Sequence, residues 1–193
     1  MRRVVVVGSS GSGKSTLARA LVQRLGVPHV ELDALHWGPN WTPTPMEILR
    51  PRVEAALAGE GWTVCGNYLT LRQTVWSRAD TIIWLDYPMS LVVWWVLRRT
   101  VRRCFTREPL WSNNVESWRL SFFDRESIIL WTLRTWRKNR RAYPELFRSP
   151  DYRHLRKYRF VSPMQTRRWL DSVPEIGSDS CPASSTTKSS WTA

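Results

Sequence analysis

Residues 4–7 are four consecutive valines running straight into a glycine, the pattern of a strand buried on both faces of a parallel sheet. Over 14–25 the apolar residues fall instead at helical spacing (Leu17, Ala18, Leu21, Val22, Leu25), and Gly26 stops the helix. The two kinds of signal go on alternating along the chain. The pattern predicts further strands at 27–32, 62–65, 81–85 and 159–161, with helices over 46–57, 90–103, 115–142 and 165–170. A Trp- and Pro-rich loop spans 36–45, and a polar, breaker-containing stretch spans 104–114. Strands alternating with helices imply a three-layer α/β domain with a mostly parallel sheet. There is no internal repeat. The organisation expected is one domain over 1–171, followed over 172–193 by a Ser-, Thr- and Pro-rich tail read as disordered.

Between the first strand and the first helix stands Gly8-Ser9-Ser10-Gly11-Ser12-Gly13-Lys14-Ser15. This satisfies the full phosphate-loop pattern, in the strand–loop–helix setting the pattern requires. Glycines let backbone N–H groups close around phosphates, and the helix N-terminus adds its positive end. Lys14 is expected to reach the β- and γ-phosphates, Ser15 to be the Mg²⁺ ligand, and Thr16 to complete the loop. The pattern therefore implies binding of a nucleoside triphosphate with Mg²⁺. It does not choose the reaction, because many activities share it.

Charge changes the picture further on. The chain carries a formal net charge of +13. Residues 98–168 hold 19 Lys and Arg against 6 Asp and Glu, while the remainder holds 10 of each. One half thus carries the whole excess, which points to a polyanionic ligand or partner there. Arg98 and Arg102, like Arg99 and Arg103, are spaced to share a helix face, and Arg107 follows in the polar stretch. Arg134, Arg137, Lys138, Arg140 and Arg141 are interleaved with Trp131, Trp136 and Tyr143. Such mixtures can follow a nucleic-acid backbone, but no nucleic-acid module is visible, so only weak, non-specific affinity is expected. Cys65, Cys104 and Cys181 are scattered, without a paired-cysteine motif, which argues for reduced thiols and a cytoplasmic setting. The apolar runs at 4–7 and 91–97 fall far short of the roughly 20 residues of a membrane span, and neither is read as a signal peptide or anchor.

Several segments beyond the loop carry a resemblance. They are Glu31-Leu32-Asp33-Ala34-Leu35-His36-Trp37 with Pro39-Asn40-Trp41, then Gly66-Asn67-Tyr68. Arg78-Ala79-Asp80-Thr81-Ile82-Ile83-Trp84-Leu85-Asp86-Tyr87-Pro88 follows, and Leu110-Trp111 with Asn114-Val115-Glu116 closes the set. Together they resemble the small adenylate-kinase-like P-loop proteins of the DNA topology modulation type, over roughly 1–170. The resemblance implies a P-loop NTPase fold of the nucleoside-monophosphate-kinase type, with a five-stranded parallel sheet and a helical lid near 98–114. It also implies an ATP- and Mg²⁺-dependent phosphotransferase acting on a nucleotide or another small hydroxyl or phosphate acceptor.

On that reading Asp33, at the carboxyl edge of the sheet, orients or deprotonates the acceptor hydroxyl, its alternative being a loop-stabilising carboxylate. Gly66 and Asn67 offer close backbone approach and a neutral amide to the acceptor. Arg72 either binds an acceptor phosphate or carboxylate or makes a surface ion pair. Arg102 and Arg107, among the lid arginines, would bridge the transferring phosphoryl oxygens. His36 is read as structural, and Trp37 and Trp41 either flank the acceptor or pack the loop. The family pattern has Asp-Gly-Asn-Tyr where this chain has Cys65-Gly66-Asn67-Tyr68. That aspartate normally holds the water shell of Mg²⁺, so either Asp33 or Asp86 takes over the metal, or turnover is weak, or Cys65 is merely a small buried residue. The alternative class is a nucleic-acid-associated P-loop protein, working as an ATP-dependent switch or a polynucleotide kinase.

Overall fold

A computed structural model of the chain describes residues 1–116, 118 and 127–175. Five strands, β1 (Arg3–Gly8), β2 (His29–Glu31), β3 (Trp62–Cys65), β4 (Thr81–Leu85) and β5 (Arg156–Phe160), form one sheet in the order β2-β3-β1-β4-β5. Every pairing is parallel. The helices are α1 (Lys14–Leu25), α2 (Leu32–His36), α3 (Met46–Ala56), α4 (Arg72–Trp76), α5 (Met89–Thr106), α6 (Ile128–Arg148) and α7 (Pro163–Asp171).

The valine run becomes the central strand because both of its faces are covered. Val5 and Val7 enter one core with Leu49, Val53, Ile82, Trp84 and Tyr143. Val4 and Val6 enter the other with Leu17, Ala18, Leu21, Ile83 and Val92. The strand period of two thus deals alternate residues to two helical layers, and the three-layer α/β architecture follows. A five-stranded parallel sheet whose central strand runs into a glycine loop and a helix is the expected P-loop NTPase fold of the nucleoside-monophosphate-kinase type.

Among the elements that differ from their sequence patterns, four do so for a plain physical reason. The second strand is only His29–Glu31, because Leu32 turns inward, 3% exposed, as the first residue of α2. Helix α5 runs on to Thr106 before Arg107 ends it in the left-handed region. Helix α6 passes through Pro144 and ends at Arg148. Tyr143, Leu146 and Phe147 all pack into the core there, which outweighs the missing N–H of one proline. Strand β5 spans Arg156–Phe160 despite its charged residues, because it is an edge strand and only Phe160 is fully covered.

The beginning of the helix expected over 115–142 lies partly outside the described residues, as do Cys181 and most of the expected tail. The tail's first residues are placed. Val173 is buried, and its carbonyl accepts from Arg24 Nη1 at 2.8 Å. No helix among the described residues is long and apolar enough to cross a membrane.

Candidate active site

The phosphate loop leaves β1 at Gly8 and enters α1 at Lys14. Ser12 N–H donates to Ser9 O at 3.1 Å and closes the loop on itself. Gly11 presses on α5 so closely that a Cβ would lie 2.3 Å from Val96 Cγ2, so no side chain fits there. Lys14 Nζ donates to Ser9 O at 2.9 Å. Burial pulls its ammonium below the ordinary lysine range, with Asp33, Cys65 and Glu31 opposing and Arg99 reinforcing. A half-buried cation in a glycine loop at a helix N-terminus is suited to a polyphosphate.

Beside the loop opens a cavity of about 2040 Å³, larger than the few hundred to about 1,000 Å³ of a single small-ligand site. Its wall brings together Ser10, Gly11, Ser12, Gly13, Lys14, Ser15 and Thr16 with Glu31, Asp33, Cys65, Gly66 and Asn67. Gly8 and Ser9 are buried beneath it. Asp33 sits in the first turn of α2 and accepts the Tyr68 hydroxyl at 2.7 Å. Burial and that carboxylate hold the Tyr68 phenol protonated far above its usual range, so it is a permanent donor.

Sequence reasoning missed Glu31. This last residue of β2 stands beside Cys65 in the parallel register. Its Oε1 accepts the Ser15 hydroxyl at 2.7 Å, and its Oε2 accepts Trp111 Nε1–H at 3.2 Å. The signal was present in Glu31-Leu32-Asp33, where two carboxylates flank one buried leucine at a strand end. Cys65 Sγ lies 3.5 Å from Ser15 Oγ and 3.3 Å from His29 Nε2. Burial pushes its thiol up to about 11, against a bond from Ser15 that pulls the other way. Sulfur there is neutral and soft, so the oxygens of Ser15 and Glu31 are the donors that fit a hard cation. Among the described residues no cluster of three or more acidic, His or Cys side chains forms a ready metal cage. Mg²⁺ does not require one, since it is commonly held by one or two carboxylates and the phosphates themselves.

Asp86 is not available for that task. It is buried at the end of β4, with Arg159 Nη2 at 2.6 Å and Arg140 Nε at 3.3 Å. Each guanidinium also lies 4.8 Å over a tryptophan ring, Trp84 and Trp136 respectively. The aspartate is thereby committed to joining α6 to β4 and β5.

The arginines divide. Arg98, Arg99, Arg102 and Arg103 line the cavity. Arg102 pairs with Glu108 at 2.9 Å and Arg103 with Glu116 at 3.0 Å. Arg99 is drawn below the ordinary arginine range by burial and by Arg103, and its Nε has no hydrogen-bond partner among the described residues. Arg107 is exposed and does not line the cavity. Arg72 is also apart, its Nε donating to Tyr152 Oη at 3.2 Å with the guanidinium near that ring.

Two loops that help to line the cavity dock on each other. Asn114, buried, donates through Nδ2 to Gly38 O and Trp111 O, both at 2.8 Å, and accepts Trp41 N–H at 2.9 Å. Ser112 Oγ donates to Trp37 O at 2.8 Å. His36, Trp37, Trp41 and Trp111 form a chain of edge-to-face rings. Asn40 and Trp41 on one loop, and Ser112 and Asn113 on the other, adopt left-handed backbone. A residue held there costs on the order of 1 kcal/mol or more, which the Asn114 bonds help to offset. Trp37 and Trp41 pack their loop and also line the cavity.

A family model described as an AAA domain matches residues 4–103, about half of the chain. The chain belongs to this AAA-domain family. No curated protein matches it. Among solved structures it is similar to a sugar kinase from Janibacter sp. HTCC2649, unliganded, at 21% identity and a TM-score of 0.51, covering 89% of this chain and 93% of that one. It is similar to a gluconokinase from Sinorhizobium meliloti 1021 at 16% identity and 0.50, covering 88% and 87%. It is also similar to shikimate kinase from Acinetobacter baumannii in complex with shikimate, at 14% identity and 0.55, covering 89% of each. At these identities the likeness is one of fold. Neither the AAA-domain match nor these likenesses of fold singles out the DNA topology modulation type.

Proposed function

We propose that this AAA-domain chain is a Mg²⁺-dependent phosphotransferase, moving the γ-phosphoryl group of ATP or a related triphosphate to a small hydroxyl or phosphate acceptor. One observation carries the reading: Lys14 of the phosphate loop and Asp33 line one cavity, where Glu31 accepts the Ser15 hydroxyl. The loop and α1 would hold the triphosphate, and Ser15 with Glu31 would hold the cation. A cation held there would supply charge neutralisation for the triphosphate. Asp33, oriented by Tyr68, would accept the proton of the acceptor hydroxyl as it attacks. Arg99, half-buried and with its Nε lacking a hydrogen-bond partner among the described residues, would bridge phosphoryl oxygens, with Arg102 also at the cavity wall. The tryptophan-bearing loops would exclude water so that transfer outcompetes hydrolysis. The setting is a reducing, cytoplasmic one, in keeping with a buried thiol beside the metal ligands.

The test is ADP release with Mg-ATP alone and with panels of sugars, hydroxy acids, nucleosides and nucleoside monophosphates. Acceptor-dependent release, abolished by Asp33→Asn with Mg-ATP binding intact, is the expected result. Turnover stimulated only by DNA or RNA would favour a nucleic-acid-associated P-loop protein instead.

A further inference from the structure

Asn67 lines the cavity but directs its polar atoms away from it. Strand β3 pairs with β1 up to Val6↔Cys65, and Gly66 N–H then donates to Val6 O at 3.4 Å. Beyond that point the backbone of β3 diverges, yet Gly8 still has both a buried N–H and a buried C=O facing that side. The Asn67 carboxamide takes them. Its Oδ1 accepts Gly8 N–H at 3.1 Å, and its Nδ2 donates to Gly8 O. A carboxamide is the one uncharged side-chain group that presents an acceptor and a donor side by side as a peptide does. It thus replaces one missing rung of the ladder.

One further contact and the close packing of Gly8 fix that rung. Tyr143 Oη donates to the same Oδ1 at 3.2 Å, and burial pushes that phenol up and keeps it protonated. On the far side of Gly8 there is no slack, for a Cβ there would meet Leu85 O at 2.8 Å.

We propose that Asn67 is a positioning residue for the phosphate loop: it holds Gly8, the point where the loop leaves the sheet, and so sets the aim of the loop N–H groups rather than contacting the acceptor. Its consequence for nucleotide affinity rests on the triphosphate-binding reading above; its consequence for the loop does not. The specificity for asparagine is strict in physical terms. Aspartate offers two acceptors and turns lone pairs toward Gly8 O, while alanine leaves two buried backbone groups unpaired.

The experiment compares wild type with Asn67→Asp and with Tyr143→Phe, which removes one hydroxyl and keeps the ring. Hydrogen–deuterium exchange of residues 8–13 is read beside that of β4, and Mg-ATP affinity is measured by calorimetry. In Asn67→Asp, exchange over 8–13 is expected to rise at least tenfold while β4 stays protected, with Mg-ATP affinity down tenfold or more. Tyr143→Phe is expected to give a smaller change of the same kind. Unchanged loop exchange in a folded Asn67→Asp protein overturns the proposal, whatever its activity. Faster loop exchange with undiminished Mg-ATP affinity overturns the step from loop to ligand. A wild-type protein that binds no Mg-ATP would sink the triphosphate reading while the exchange data still decide the role of Asn67.

Discussion

Glu31 joins Ser15 and Trp111 through its two carboxylate oxygens, at 2.7 Å and 3.2 Å. One side chain therefore links the phosphate loop to the Trp111 loop of the cavity wall. Glu31→Gln keeps an acceptor for one partner but sets an N–H₂ group against the other. The expectation is that the Mg²⁺ concentration for half-maximal turnover rises about tenfold or more, with metal-free ATP binding little changed. A Mg²⁺ titration that superimposes on wild type would remove Glu31 from the metal site.

Lys14→Ala tests the loop itself. The ammonium makes its hydrogen bond to the loop carbonyl of Ser9 and is not among the packed core residues. Its removal is expected to abolish measurable ATP binding with the circular dichroism spectrum and melting transition preserved. Calorimetry on the folded variant that returns the wild-type affinity would remove the foundation of the proposed function.

What was legible in the chain follows from what local sequence can encode. The valine run and the glycine loop are local, and both kept their predicted places, because burial on two faces and left-handed loop backbone each demand particular residue types. Other features depend on distant partners. Arg72 finds Tyr152, 80 residues away, and Asn67 finds Gly8, 59 residues away. Asp86 looked available for a metal until the fold set Arg140 and Arg159 on it. Glu31 passed as an ordinary charge at a strand end, since only the parallel alignment with β3 brings it to Ser15. Pro144 marked a helix end by its chemistry, and the aromatic residues on either side of it overruled that mark.

The basic excess of 98–168 is partly absorbed by the cavity. Arg98, Arg102 and Lys138 line it with Trp95 and Trp131, while Arg140 and Arg159 are engaged with Asp86. Binding to random DNA is accordingly expected to be weak and lost at moderate salt, with a shallow log–log slope reporting few neutralised phosphates. Fluorescence anisotropy showing sub-micromolar binding that persists at physiological salt would favour the nucleic-acid reading.

Cys65 carries a pH signature. Its thiol titrates near 9 when unperturbed and at about 11 in the fold. The unfolded chain therefore releases this proton first as pH rises. The stabilisation is complete below about pH 9 and is lost progressively up to about pH 11, by about 2–3 kcal/mol in all. Urea unfolding at pH 8 and pH 10 should show a steeper loss for wild type than for Cys65→Ser, whose hydroxyl does not titrate. Equal losses would mean the thiol does not titrate differently in the two states.

Cys65→Asp introduces the carboxylate found at this point in the pattern the chain resembles, and places it beside Glu31. Both would share the Ser15 hydroxyl, which Cys65 Sγ now approaches at 3.5 Å. Two carboxylates so close repel, and one of them is forced toward its protonated form unless a cation lies between them. The variant is therefore expected to melt below wild type in chelator and to recover most of the difference in millimolar Mg²⁺. If Glu31 alone gives the metal an incomplete set of oxygens, Mg²⁺-dependent turnover should rise severalfold. Differential scanning calorimetry with and without Mg²⁺, beside initial rates, separates the two effects. Recovery of stability with turnover at or below wild type would mean that Glu31 already completes the site and that the cysteine costs the chemistry nothing. The same melting deficit with and without Mg²⁺ would mean that the cation does not bind between positions 31 and 65, and Ser15 would then have to find its metal partner elsewhere.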